Sequence, residues 1–493
     1  MKKYFLQTFG CAMNSADSEK IHMLMLQSGF VKVTDWKDAD LVILNTCSVR
    51  QKWEDRVVWL LWEIKKYAKK SWKKIITALT GCMIRRTGMA EKYLNEYKRD
   101  REKAKKINLL KDSKEIFNND DKLFPRLKTL DTVFRIEDLK YFPLILSHIF
   151  KESIWKDYAF SDYLKAKQLR ENPAQATIII QTGCDNYCTY CIVPYTRGKE
   201  ISRPIEEIVQ EAKTAVKEWA KEITLVGQNV NSYWKQWVDK KYWNEEKGKW
   251  NDWLWKSPFR ELLEELNKIE WLDRIRFTSS NPHDMTRDIL DAHFELPKMC
   301  NYLHFALQSG SDEMLKKMNR KHTYKEFKEM VDYLRSKDPY FAISTDIIVG
   351  FSWETEEMFE DTVKAFKECE FDFVYIARYS VRKGTIAAKV YPDDIPENIK
   401  AQRWHKLNDL LLESIQKRNK MMIGREEEIL VSWKKEGQFF GRTRNFKEVF
   451  FRPHPNPLLW EEREQEQKEI KIWDIVKVKI TDLDKYVLKG ELI

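Results

Sequence analysis

Three apolar runs near the N-terminus each end in a cysteine. Tyr4-Phe5-Leu6-Gln7-Thr8-Phe9-Gly10 leads to Cys11, Leu41-Val42-Ile43-Leu44-Asn45-Thr46 to Cys47, and Ile75-Ile76-Thr77-Ala78-Leu79-Thr80-Gly81 to Cys82. Each run has the apolar, β-branched character of a strand, and each cysteine precedes a helical pattern. In residues 15–29, for example, Ile21, Leu24 and Met25 repeat at helical spacing. Strand, loop and helix in repetition predict a doubly wound parallel sheet within residues 1–150. Ligands of such sheets bind beyond the carboxyl ends of the strands. Three thiols delivered to one edge can therefore hold a cluster together, whereas ordinary buried cysteines have no reason to recur at each strand end.

The pattern then changes. Residues 97–125 open on Lys98-Arg99-Asp100-Arg101-Glu102-Lys103 and read as a charged surface insertion. Within 126–172, Phe134 to Leu139 reads as ordered. From 172 to 420, six strand-like runs (176–180, 222–226, 274–278, 302–307, 341–349 and 371–377) alternate with amphipathic helices. Pro204 opens one helix, and Thr355-Glu356-Glu357 forms the first turn of another. Six βα units predict an open, partial TIM-like (β/α)6 barrel with its active face at the strand carboxyl ends. The stretch 234–257, rich in Trp and Lys, interrupts this order as an inserted loop. A long amphipathic helix over 396–420 carries Arg403, Leu407, Leu410, Leu411 and Ile415. Residues 422–493 break into short β runs with turns, which predict a small all-β barrel. Arg442, Arg444 and Lys447 stand among aromatic residues there, as on a nucleic-acid surface or a plain solvated face.

The densest chemistry lies in Gln181 to Cys191. Cys184, Cys188 and Cys191 have C-x₃-C-x₂-C spacing and follow the buried-strand run Ala176 to Ile180. A [4Fe–4S] cluster takes four thiolates and a closed zinc site four ligands. Three cysteines without a fourth, and without a histidine in the loop, predict a cluster with one iron open to a reactive ligand. A zinc loop or plain buried thiols are the alternatives. The remaining cysteines, Cys300 and Cys369, match no motif and read as small buried hydrophobes. With 8 cysteines in 493 residues the chain is no secreted disulfide scaffold. The N-terminus lacks a signal-peptide core, and no apolar run approaches the ~20 residues of a membrane span. A reducing cytoplasm is the expected compartment. The net charge of +10 suits a polyanionic partner.

Taken together these motifs resemble the radical S-adenosylmethionine (SAM) methylthiotransferases over nearly the whole chain. Cys184 to Cys191, with Tyr190 before the last cysteine, followed by Ile192 to Gly198 and Ser202-Arg203-Pro204, looks like the radical SAM core. Gln7 to Asn14, Asn45 to Arg50 and Gly81-Cys82-Met83 look like the family's N-terminal motifs. Gly227 to Tyr233 and Gln308 to Ser311 match as well, and the last barrel is similar to a TRAM domain, an RNA-binding module. The resemblance implies two [4Fe–4S] clusters, on Cys184, Cys188 and Cys191 and on Cys11, Cys47 and Cys82. It implies a SAM pocket from Tyr190, Gly227, Gln228, Gln308, Ser309, Asp346 and Arg378, at or after strand carboxyl ends. It implies domains at 1–150, 172–420 and 422–493, and as partners the tRNA anticodon stem-loop, an electron donor and a sulfur donor. Residues around Cys11 resemble the branch acting on N6-isopentenyladenosine. The alternatives are threonylcarbamoyl-adenosine tRNA, a ribosomal-protein aspartate or, in another class, a non-catalytic RNA-binding iron–sulfur protein.

One count is unusual. The chain has 19 Trp and 15 Gly. At a usual ~7% glycine this length carries about 35, and 15 + 19 is 34. Trp59, Trp62, Trp234, Trp353 and Trp473 stand where the resembling family usually has glycine. UGA codons read as glycine in the source, and rendered here as tryptophan, would account for both observations; true tryptophan enrichment is the alternative.

Overall fold

The computed structural model describes residues 1–47, 51–84, 127, 129–154, 163–170, 172–234, 243–244, 249–250, 256–452 and 470–493. The charged stretch 97–125, most of the 234–257 insertion and residues 48–50 of the second cysteine motif lie outside them.

The N-terminal part runs β1 (Lys3–Thr8), α1 (Ala12–Gln27), β2 (Val31–Lys32), β3 (Leu41–Thr46), α2 (Gln51–Ser71), β4 (Ile76–Gly81), β5 (Thr132–Val133) and α3 (Phe142–Phe150). The sheet is parallel throughout, in the order β2-β1-β3-β4-β5. Every residue of β3 and β4 is buried. Both faces are covered, which is why these runs are apolar without alternation. Leu41 and Ile43 pack with Ala16 and Leu24 of α1 and Phe142 of α3 on one face. Val42 and Leu44 pack with Val57, Leu61 and Ile64 of α2 on the other. Thr8 lies opposite Asn45, and Thr46 opposite Gly81, so the three strands finish level.

The central part begins with β6 (Gln175–Ile179). The antiparallel pair β7 (Gln181–Thr182) and β8 (Ile201–Ser202) frames the 184–191 loop, and the single turn α4 (Val193–Thr196) follows that loop. Then come α5 (Ile205–Lys217), β9 (Glu222–Val226), the hairpin β10 (Trp243–Asn244) with β11 (Lys249–Trp250), α6 (Pro258–Asn267), β12 (Arg274–Phe277), α7 (Arg287–Glu295), β13 (Tyr302–His304), α8 (Asp312–Lys317), α9 (Tyr324–Lys337), β14 (Ala342–Val349), α10 (Glu356–Cys369), β15 (Phe373–Arg378), α11 (Ile386–Val390) and α12 (Glu397–Lys420). Two parallel sheets, β6-β9-β12 and β13-β14-β15, are joined by parallel bridges such as Ser280 to Phe305. Six parallel strands thus follow one another in chain order as a partial barrel. Strand residues such as Ile178, Leu225, Phe277 and Leu303 share one core with Leu262, Phe327, Phe359 and Leu407 of the surrounding helices. Side chains of this size are worth about 1.5–3 kcal/mol each when fully buried. Thr355 caps α10 by accepting from the Met358 N–H, and Thr323 with Glu326 forms a capping box on α9. β13 is shorter than its apolar run. The Leu307 N–H donates to Thr345 Oγ1 rather than to a backbone carbonyl, and only bridges continue beyond His304.

The C-terminal part is a closed five-stranded barrel, β16 (Glu426–Lys435), β17 (Gln438–Arg442), β18 (Glu448–Arg452), β19 (Ile475–Asp484) and β20 (Val487–Leu492), around Ile429, Val431, Phe439, Val449, Phe451, Val478, Ile480 and Leu488. Its contact with the base of the partial barrel corrects one expectation. Arg274 donates to the carbonyls of Arg442 and Glu428 at 2.9 and 2.8 Å, and Arg276 to those of Arg444 and Thr443 at 2.7 and 2.8 Å. Arg444 donates back to the Met299 carbonyl at 3.0 Å, buried Lys447 pairs with Asp372 at 2.6 Å, and Arg442 pairs with Glu448 at 2.8 Å. Arg444 and Lys447 are therefore committed to docking the barrel, while Arg442 docks through its carbonyl and keeps a half-exposed side chain paired with Glu448.

Candidate active site

The loop after β6 turns at Gly183, whose φ is +81. A Cβ there would lie 2.0 Å from the Lys199 carbonyl oxygen, so only glycine fits. The Gly183 N–H donates to Gln228 Oε1 at 2.7 Å, tying the loop to the end of β9. Thr189 anchors the far side. Its N–H donates to the Met318 carbonyl at 3.0 Å, its hydroxyl to the Lys317 carbonyl at 3.0 Å, and its carbonyl accepts from Ala387 at 2.8 Å. Cys184, Cys188 and Cys191 are all half-buried on this loop. Asn186 Nδ2 stands 3.6 Å from Cys184 Sγ, and Arg320 Nη1 stands 3.5 Å from Cys188 Sγ. Burial pushes the Cys184 thiol up to about 12 and raises that of Cys191, next to Cys188 and Cys184, as well. Three thiols within one short loop suit a cationic metal group that takes them as thiolates. No three His, Cys, Asp or Glu side chains among the described residues converge closely enough for a single ion. The donor set, all sulfur with amide and guanidinium donors against it, fits a group that spans the thiols, as a cluster does.

The second set is assembled from distant segments. Cys11 follows β1, Cys47 follows β3 and Cys82 follows β4. The Cys82 N–H donates to the Thr46 carbonyl at 2.7 Å. Gly10, at φ +149, lets the chain pass where a Cβ would meet Asn14 Oδ1 at 2.6 Å and Cys47 Cβ at 2.9 Å. Beneath the thiols lies a buried amide network. Asn14 Nδ2 donates to Asn45 Oδ1 and to the Thr46 carbonyl, both at 3.1 Å, and Asn45 Nδ2 donates to the Asn14 carbonyl at 2.7 Å and Ser18 Oγ at 3.0 Å. Cys11 Sγ lies 3.4 Å from Asn14 Oδ1.

The expected SAM-pocket residues divide. Tyr190 packs against Phe351 beside Met314 and Met318, within electrostatic reach of Cys188 and Cys191. Gly227 and Gln228 directly follow β9, and a Cβ on Gly227 would lie 2.7 Å from Gln181 Cγ. Gln308 spends its backbone joining the strands, to the Asp346 carbonyl at 2.8 Å and from the Ile348 N–H at 3.0 Å. Asp346 is the fifth of eight residues in β14 rather than at its end, and its carboxylate meets His304 Nε2 at 3.2 Å. Ser309 is fully buried and turns to Thr362 of α10 at 3.3 Å. Arg378 ends β15 half-exposed and pairs with Glu397 at 3.3 Å. Ser309 thus turns toward α10 and Arg378 makes a surface ion pair, because a strand end fixes the backbone and not the side-chain direction. Sequence reasoning missed Arg320, whose Nη2 also donates to Asn281 Oδ1 at 2.9 Å and the Ala306 carbonyl at 2.6 Å. Its only sequence signal is a basic residue soon after α8. Arg197 lies within the 192–198 motif, where nothing in the sequence singles it out. It forms a fully buried ion pair with Asp17 of α1 at 2.5 Å, across the junction of the two sheets.

An open-edged parallel barrel with a three-thiol loop after its first strand defines a radical SAM protein, and the radical SAM superfamily pattern matches residues 178–366. Residues 3–101 match the uncharacterized protein family UPF0004. The tRNA-2-methylthio-N(6)-dimethylallyladenosine synthase of Clostridium botulinum (strain Okra / Type B1) is 38% identical over 91% of this chain and 91% of that protein. Proteins of the same name from Protochlamydia amoebophila (strain UWE25) and Aquifex aeolicus (strain VF5) are 36% and 34% identical, over 92% and 100% of this chain and 90% and 99% of theirs. The chain belongs to this family of radical SAM methylthiotransferases, which works with SAM and [4Fe–4S] clusters. Among the described residues no helix is long and apolar enough to cross a membrane.

Proposed function

We propose that this chain methylthiolates C2 of N6-isopentenyladenosine beside the anticodon of tRNA, using SAM and two [4Fe–4S] clusters. The observation that carries the reading is the pair of three-cysteine sets, each at the carboxyl edge of its own parallel sheet and linked through Arg197 and Asp17. Cys184, Cys188 and Cys191 would hold one cluster, and Cys11, Cys47 and Cys82 the other. When bound, these groups and SAM supply the one-electron chemistry that adenine C2–H needs, being too weakly acidic for a general base, and the sulfur that replaces its hydrogen. The chain's own part is placement. Gln228 holds the turn before Cys184, Arg320 sets a positive charge on Cys188, and Tyr190 closes the apolar side of the loop. Phe373 and Tyr375, exposed on β15 with ring centroids 4.6 Å apart, offer a stacking wall for an unstacked base.

We read 1–150 as the auxiliary-cluster domain, 172–420 as the radical SAM domain and 422–493 as the RNA-binding barrel. With Arg444 and Lys447 engaged in docking, phosphate contacts fall to outward residues such as Lys477 and Lys479. tRNA, an electron donor and a sulfur donor complete the partner set, in the cytoplasm. The test is anaerobic incubation with SAM, dithionite and tRNA bearing isopentenyladenosine, followed by nucleoside analysis. Formation of 5′-deoxyadenosine and a methylthio nucleoside is expected. Absence of 5′-deoxyadenosine would favour the non-catalytic iron–sulfur protein, and turnover only with threonylcarbamoyl-adenosine tRNA or a ribosomal protein would move the chain to another branch.

A further inference from the structure

Arg197 is 2% exposed, and its ion pair with Asp17 joins the segment after the Cys184 loop to the helix after Cys11. Tyr163 donates its hydroxyl to the other Asp17 oxygen. One guanidinium nitrogen is thus used, while Nε and Nη1 are buried and find no acceptor among the described residues. Buried donors left unsatisfied are costly, so such an arrangement points to an absent acceptor. Burial opposes the guanidinium's charge, but Asp17, then Cys82, then Tyr163 hold it firmly protonated. The positive charge therefore lies within electrostatic reach of Cys82 and Cys11, although its backbone belongs to the radical SAM segment.

Resting on the two-cluster reading above, we propose that Arg197 is a positioning residue for the auxiliary site, its free Nε and Nη1 donors holding the anionic sulfur carried there toward the barrel. Hydrogen bonds and net charge around a cluster set its potential, and residues that orient ligands from behind are worth about tenfold or more in affinity. The test uses protein with Cys184, Cys188 and Cys191 changed to Ala, so that only the auxiliary cluster remains. In that background Arg197→Gln should retain iron, lower the cluster's midpoint potential and weaken the electron-paramagnetic-resonance response to added methanethiolate about tenfold, with Arg197→Lys intermediate. The double variant Arg197→Gln with Asp17→Asn removes the stranded carboxylate and keeps the experiment decisive if the single variant does not fold. Unchanged potential and unchanged thiolate response in a variant that retains its iron would overturn the proposal. Failure of the parent protein to hold auxiliary iron would instead overturn the two-cluster reading.

A separate observation concerns tryptophan. Among the described residues, Trp72, Trp219, Trp234, Trp271, Trp353 and Trp473 have φ of 56, 78, 58, 64, 62 and 83, all left-handed. They are six of fifteen non-glycine residues with positive φ, a conformation that a bulky side chain rarely adopts. Trp219 follows α5 where the Ala220 N–H returns to the Ala215 carbonyl, the helix-ending turn that glycine favours. Trp72, Trp219 and Trp271 are 95%, 79% and 79% exposed. Trp404, by contrast, lies within α12 and donates Nε1 to the Ile376 carbonyl at 3.1 Å. Trp59 and Trp62 sit inside α2, so backbone conformation says nothing for them. We infer that the six left-handed positions are glycine in the native protein, encoded by UGA. Sequencing the source gene and mass spectrometry of peptides from protein purified from its source decide it. UGA with glycine at the six positions, and UGG with tryptophan at Trp404, is expected; UGG with tryptophan at the six overturns the inference.

Discussion

The two cysteine sets reach similar chemistry by opposite routes. Cys184, Cys188 and Cys191 lie on one loop of eight residues, held by Gln228 on one side and residues 317–318 on the other. Cys11, Cys47 and Cys82 arrive from three strands, and their spacing is the register of β1, β3 and β4 plus the Asn14–Asn45 network. In the loop, the ligands lie within eight residues and their spacing is local, although distant contacts hold the loop in place. In the sheet, ligand geometry and folding are one property. The largest test of this difference is replacement of each set by Ala. Loss of Cys184, Cys188 and Cys191 should leave about half of the ~8 irons of two four-iron clusters and abolish SAM cleavage. Loss of Cys11, Cys47 and Cys82 should leave SAM cleavage and end methylthiolation. Loss of all iron in the first variant would mean the sites are not separate.

The next effect concerns what braces the barrel that carries the loop. Asp372 is buried among Lys447, Arg418 and Arg335. Burial pushes its carboxyl up, but those cations outweigh it and hold it below the ordinary range. Asp372→Asn should cost about 3–5 kcal/mol in urea unfolding, because it strands buried cations at the docking face. Iron content at both sites should be unchanged in the folded fraction. A selective loss of iron would show that the small barrel supports a cysteine set directly.

A smaller effect separates the two routes themselves. Asn45→Ala removes one centre of the buried amide network and should cost about 1–3 kcal/mol. Because register and ligand placement coincide there, thermal stability and auxiliary iron should fall together. Asn186→Ala, on the loop, should alter the Cys184 side with little change in unfolding temperature. Equal behaviour of the two variants would break the distinction.

The same distinction explains what could be read from the chain. The placement of Cys184, Cys188 and Cys191 on a loop after a buried strand was legible from the apolar run before them, and that of Cys11, Cys47 and Cys82 because a cysteine recurs after each apolar run. The bounds of α12 were legible too, since Pro396 precedes its first turn and the amphipathic pattern continues to Lys420. β13 ended early because a side chain of the neighbouring strand, Thr345, takes the Leu307 N–H that a backbone carbonyl would otherwise accept. Arg320, Arg197 and Arg444 escaped for a related reason: periodicity assigns a face, while these side chains take their meaning from carbonyls, carboxylates and thiols far away in the sequence. Arg444 misled most, since a basic residue among aromatics has the same composition whether it meets RNA or docks a domain.

The smallest expected effect comes from pH and belongs to the barrel alone. His293 on α7 is buried between Phe277 and Phe341, with Nδ1 2.8 Å from the Cys300 carbonyl. That contact suits a neutral ring with its proton on Nδ1. Burial lowers its pKa to about 4, and burial with Arg320 nearby lowers that of His322 to about 3. Both folded values lie below the unfolded one, near 6.5, so the unfolded chain takes up protons first. Stability from these groups is complete above about pH 6.5 and is lost as pH falls toward 4. Between pH 7 and pH 5.5 each should cost about 1 kcal/mol. His293→Gln keeps a donor for the Cys300 carbonyl but cannot titrate. Urea unfolding of metal-free protein at the two pH values should therefore show about 1 kcal/mol less acid sensitivity in the variant than in the parent. Equal sensitivity would mean that His293 titrates alike in the folded and unfolded chain, and that its burial does not govern its charge.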